Sequence, residues 1–62
     1  MSSYGRILTT DLRAMPTGTI VEIGSGSRYR KIISGNLEKW RSLSTGTTAS
    51  SGMLSLNNLR VV

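Results

Sequence analysis

A chain of 62 residues with neither cysteine nor histidine must hold itself together without a covalent or metal staple. A domain of this size buries only about 60% of the surface its unfolded chain exposes, so its core is marginal. Disulfides and thiolate- or imidazole-bound metals are the usual remedies, and both are closed here. What remains is a tightly packed small β-structure, or help from a partner or a second copy. The same two absences remove chemistry. There is no thiol nucleophile and no imidazole base, and the only carboxylate side chains, Asp11, Glu22 and Glu38, lie far apart in the chain. The expectation is a protein that is not an enzyme, with no catalytic residue, no metal ligand and no cofactor.

Along the chain, turn formers alternate with short β-prone runs. Residues 1–6 are small and polar and read as a flexible end, and Ile7-Leu8 reads as the start of an edge strand. Thr9, Thr10 and Asp11 can cap a single helical turn near residues 10–15, which Pro16 then stops. Three strands follow at about 19–23, 27–33 and 37–43. Gly24-Ser25-Gly26 and Gly35-Asn36 separate them as hairpin-sized loops. Residues 44–52 are Ser, Thr, Gly and Ala and read as a mobile loop, after which a turn at Asn57-Asn58 precedes a last strand. The composition of seven glycines and no phenylalanine, with many serines and threonines, favours turns and strands over helices. The prediction is a single all-β domain over residues 7–62, a small barrel of about five short strands. No apolar run has the length of a signal peptide core or a membrane span. An intracellular protein follows, with no membrane among its partners.

Several of these residues also form a recognisable series. Leu12-x-x-Met15-Pro16-x-Gly18-Thr19-Ile20-Val21 is followed by Gly26, by Tyr29 with Lys31 two residues on, by Trp40, and by a closing Leu59-Arg60-Val61-Val62. The series resembles that of small SH3-like β-barrel proteins of actinobacteria and their phages, a group mostly without assigned activity. It departs from that group in three places. Gly24-Ser25-Gly26 replaces an acidic turn, Tyr29 stands where tryptophan is commoner, and the second strand is rich in arginine. The resemblance implies an SH3-like barrel and a phage origin, hence a place in the bacterial host cytoplasm or on the virion.

The charge needs a location before it has a meaning. Eight Lys+Arg against three Asp+Glu give +5, and the densest cations are Arg28, Arg30 and Lys31, then Lys39 and Arg41. Strand residues alternate between faces, so register decides which of them meet. A three-residue first loop sets Glu22 opposite Arg28 and Val21 opposite Tyr29. A two-residue second loop sets Lys31 opposite Trp40 and Ile33 opposite Glu38. A slip of one residue in the second hairpin would oppose Lys31 and Lys39, which repel. The favoured register gathers Val21, Ile23, Tyr29, Ile33 and Trp40 on a core face, with Lys31 snorkelling over the indole. The other face collects Glu22, Arg28, Arg30, Lys39 and Arg41 beside Ile20, Ile32 and Leu37.

A face of that kind suits a protein partner with an acidic patch, a virion or host protein. Arg28, Arg30, Lys39 and Arg41 would steer, while Ile20 and Ile32 would supply apolar contact. Nucleic acid is the second choice, because single-strand binders need exposed aromatics and Tyr29 and Trp40 are claimed by the core. The plainer reading is a solvated sheet exterior kept soluble by charge. A homo-oligomer through an open strand edge is a further possibility. Gly24-Ser25-Gly26-Ser27 has no helix after it to aim amides at a phosphate, the serines have no base, and Glu22 and Glu38 have no cleft between them. The expected function is a non-catalytic accessory protein acting through a basic sheet face.

Overall fold

In the computed structural model, which describes residues 4–62, strand and helix alternate in an order set largely by turn residues. The elements are β1 (Gly5–Arg6), α1 (Thr9–Ala14), β2 (Ile20–Ile23), β3 (Arg28–Ser34), β4 (Leu37–Ser42), β5 (Thr48–Ala49), α2 (Ser51–Leu54) and β6 (Asn58–Val61). The strands form one antiparallel sheet in the order β1-β6-β2-β3-β4-β5. The chain is thus mostly β, with two short helices.

Both hairpins have the expected registers. Glu22 opposes Arg28 and Val21 opposes Tyr29. Lys31 opposes Trp40, and Ile33 opposes Glu38. Glycine chemistry sets them. Gly26, at φ 99°, takes the left-handed place that a three-residue loop requires, and its N–H bonds back to the Ile23 carbonyl at 2.9 Å. Gly35, at φ 62° with no positive φ at Asn36, fits a two-residue turn of the II′ kind.

The expected barrel is not closed. β1 and β5 end the sheet without pairing to each other, and each is only two residues long, too short to reach across the opening. Helices fill that opening instead. Leu12 of α1 and Leu54 of α2 join Val21, Trp40 and Leu59 in one buried cluster, with Ile7, Met15, Ile23, Tyr29 and Ala49 packed around it. The sheet therefore has one face under two helices and one face in solvent. A single helical turn is also too little: α1 covers six residues and α2 adds a second helix.

Local corrections follow the same logic. The cap of α1 is Leu8, with no side-chain cap bond, so Thr9, Thr10 and Asp11 lie inside the helix. Pro16 does end it, because the residue before proline is driven extended, and Met15 sits at φ −68°, ψ 142°. The stretch read as a mobile loop is bonded throughout. Gly46 N–H reaches Ser42 O at 2.9 Å and Ser42 N–H reaches Thr47 O at 2.7 Å. Ser50 caps α2 by accepting from Met53 N–H at 3.2 Å. Ser51 accepts from the Trp40 indole at 3.0 Å. Serine and threonine hydroxyls that loosen a helix interior serve here as turn and cap partners. Of the end read as flexible, residues 1–3 lie outside the described residues, while Gly5 and Arg6 pair with Leu59 and Asn58.

Candidate functional site

Alternation along the strands sorts the cations. Outward positions on β2, β3 and β4 carry Ile20 and Glu22, then Arg28, Arg30 and Ile32, then Leu37, Lys39 and Arg41. All the residues expected on one face are thus brought together. β6 adds Arg60, directly opposite Glu22, and β1 adds Arg6, opposite Asn58. Neither was singled out from sequence. Arg60 was legible in the alternation of buried Leu59 with its neighbour, whereas Arg6 required the terminal pairing.

The face is built in rows across the strands. In one row, Arg60, Glu22 and Arg28 stand side by side. Arg60 Nη2 lies 2.8 Å from Glu22 Oε1, and Arg28 Nε lies 3.1 Å from Oε2. The Tyr4 hydroxyl donates to the same carboxylate, and the Arg60 guanidinium stacks 4.9 Å from the Tyr4 ring centre. Glu22 is 7% exposed. Its pKa is lowered to about 2 by the Tyr4 hydroxyl and the Arg28 guanidinium, with Arg60 adding to them against the cost of desolvation. The shared hydrogen bond raises the Tyr4 phenol above its ordinary value. This row is partly neutralised within itself, one carboxylate against two arginines.

The next row is not. Ile20, Arg30, Arg41 and Thr48 are successive cross-strand neighbours, and among the described residues neither arginine has a carboxylate partner. Ile32 and Lys39 form the row beyond. A shallow groove of about 370 Å³ runs here, lined by Arg30, Ile32, Arg41, Ser42, Leu43 and Gly46.

No family model, curated protein or solved structure matches the chain.

Two core-face residues depart from expectation. Ile33 is exposed, because the helices cover the sheet only as far as Lys31 and Trp40. Lys31 does not snorkel: it is 2% exposed, and its ammonium donates to the carbonyls of Leu12, Arg13 and Met15 at 2.9, 2.7 and 2.5 Å. Glu38 Oε2 is 2.8 Å away, and the Trp40 ring centre 5.9 Å. Those carbonyls lie at the C-terminal end of α1, where Leu12 O also accepts from Met15 N–H at 3.3 Å, so the buried ammonium is a cap. Trp40 is fully buried and Tyr29 points inward from its half-buried place, leaving neither on the cationic side. Among the described residues no three His, Cys, Asp or Glu side chains group as metal ligands, and no helix is long and apolar enough to cross a membrane.

Proposed function

We propose that this chain is a non-catalytic accessory protein that acts by protein–protein contact, laying its uncovered sheet face on an acidic patch of a partner. The observation that carries the reading is the makeup of that face: Arg6, Arg28, Arg30, Lys39, Arg41 and Arg60 around a single carboxylate, Glu22. Ile20, Ile32 and Leu37 sit among the cations and supply the apolar contact that a solvated exterior has no need of. Charge of one sign speeds encounter with an acidic surface and rejects basic ones. The same face favours protein over nucleic acid, since no aromatic ring lies on it for bases to stack against except Tyr4, whose ring already carries Arg60.

The setting in a phage, on the virion or against a host protein in the bacterial cytoplasm, rests on the resemblance of Leu12 to Val21, Tyr29, Lys31 and Trp40 to the small SH3-like proteins. A kinship of the β2-β3-β4 meander with that barrel belongs to the same proposal.

Arg28 is engaged with Glu22, so Arg30 and Lys39 are the better probes. Poly-glutamate and a single-stranded oligothymidylate of equal charge number are titrated against the protein at stepped salt. Poly-glutamate is expected to bind more tightly, and Arg30→Glu with Lys39→Glu to weaken it by about tenfold or more. A tighter oligothymidylate complex whose log K falls steeply and linearly with log salt makes the face a nucleic-acid surface instead. Unchanged poly-glutamate binding by the double variant removes the face from the mechanism.

A further inference from the structure

The cations of the outer face differ in what already holds them. Of the chain's three carboxylate side chains, Glu22 takes Arg28 and Arg60 and Glu38 takes Lys31. Asp11 lies in the first turn of α1, on the other layer of the molecule. Arg30 and Arg41 are left facing each other across the β3–β4 ladder, where directly opposed Cα atoms are about 4.5–5.5 Å apart. Like charges so placed destabilise a sheet. The two heads turn toward opposite flanks, as mutual repulsion directs: a Cβ on Gly18 would lie 4.0 Å from Arg30 Nη2, and one on Gly46 3.9 Å from Arg41 Nη2. Between and beside them runs the groove walled by half-buried Ile32 and exposed Leu43.

We infer that Arg30 and Arg41 form a two-pronged clamp for one carboxylate, an Asp or Glu side chain of the partner with an aliphatic neighbour that packs on Ile32 and Leu43. The inference rests on the face reading above and names the spot on that face where affinity concentrates. A guanidinium offers a planar fork of donors that matches a carboxylate in two parallel bonds. Two of them on adjacent strands, with their Cα positions fixed by the ladder and their heads splayed to opposite flanks in the free chain, swing inward over the groove to meet one anion. One carboxylate between them halves the net charge of the pair and offsets part of the repulsion that the free sheet carries. The aliphatic walls select an acidic side chain followed by an apolar one over a bare phosphate, which offers nothing to Ile32 or Leu43.

The test uses a capped tetrapeptide of alternating Asp and Leu, its Asn counterpart, inorganic phosphate and oligothymidylate, titrated into the nitrogen-15-labelled chain. The arginine Nε–Hε signals are followed, and those of Arg30 and Arg41 are assigned by their loss in Arg30→Gln and Arg41→Gln. The Asp peptide is expected to move those two signals and leave that of Arg13 in place, and each Gln variant to weaken it by about tenfold. Lys39→Gln is expected to cost less. Arg30→Lys and Arg41→Lys keep the charge and lose the fork, so an intermediate loss separates clamping from charge alone and serves where a Gln variant does not fold. Equal shifts from the Asn peptide, or full affinity in the arginine variants, overturn the clamp. So does saturation of the two signals by phosphate or oligothymidylate at lower concentration than by the peptide. If poly-glutamate binds while the single variants are silent, the clamp falls and the face reading stands. If the peptide moves the pair while poly-glutamate fails, the reverse holds.

Discussion

Lys31 and Glu22 show opposite ways of keeping an ion in a small protein. Lys31 is buried against three carbonyls at the C-terminal end of α1, those of Leu12, Arg13 and the cap residue Met15, so its charge completes hydrogen bonding that the helix end leaves open. Removing it takes the ammonium donor from those carbonyls and leaves Glu38 without its partner. Lys31→Gln is expected to cost about 2–4 kcal/mol, lowering Tm by roughly 8–30 °C at about 4–8 °C per kcal/mol for a domain this size. Glu38→Gln, at the more exposed end of the pair, is expected to cost under about 1 kcal/mol. Thermal unfolding of the two variants side by side checks the difference. Glu22 acts through pH. Its folded pKa is lowered to about 2 from the usual 4.5, so the unfolded state binds the proton more readily. The stabilisation is complete above the unfolded value and is lost as pH falls from about 4.5 through about 2. Tyr4→Phe removes the foremost cause, and acid unfolding is expected to begin at higher pH. A carboxyl-detected NMR titration would show the Glu22 midpoint move upward. If that midpoint stays put, the Tyr4 hydroxyl is not what holds the carboxylate down.

At the scale of elements, the hairpins carry most of the organisation, and turn chemistry made them legible. A left-handed glycine at position 26 leaves a three-residue loop as the connection that twists with its strands. Gly26→Ala places a Cβ at φ 99° and is expected to cost about 1 kcal/mol or more, seen as a lower denaturation midpoint at unchanged m-value. The segment between β4 and β6 was hidden for a different reason. Ser50 and Ser51 give no periodic signal, and a four-residue helix is too short for one to register. Their roles arise from who lies nearby: Met53 N–H for Ser50 and the Trp40 indole for Ser51. Ser51→Ala leaves the buried indole N–H without an acceptor and is expected to cost about 1–3 kcal/mol, with a shift of the Trp40 fluorescence maximum as a local readout. β1 was legible only as an edge strand at Ile7-Leu8, and it forms two residues earlier: Gly5–Arg6 pairs because Leu59 and Asn58 offer an edge, while Ile7 packs against the core.

Over the whole molecule, a five-residue buried cluster supports a sheet whose other face holds most of the charge. Net stability of natural domains is only about 5–15 kcal/mol, and a chain this short sits at the low end. Crowding cations on one layer spends part of that margin. Raising salt from about 10 to 150 mM shortens the Debye length from about 30 to 8 Å and is expected to stabilise the protein. Arg41→Glu, which turns the opposed pair with Arg30 into a complementary one, is expected to add about 0.2–1 kcal/mol and to flatten that salt dependence. A parent whose midpoint does not rise with salt would mean that the face carries no repulsive strain.

The sequence alone determined the β-rich class, both hairpin registers and the faces of β2, β3 and β4, because each depends on near neighbours: a two-residue side-chain period and glycines at turns. It also determined that no thiol and no imidazole is present, since a residue type that does not occur needs no structure to rule it out. Tertiary structure decided the rest. That the sheet stays open under two helices, that Lys31 turns inward to cap α1, and that Glu22 adds Tyr4 and Arg60 to its hairpin partner Arg28 all depend on contacts between residues far apart in the chain. No local pattern encodes such contacts. The cations of one face therefore became distinguishable only when β6 settled beside β2, leaving Arg30 and Arg41 as the opposed pair without a carboxylate among the described residues.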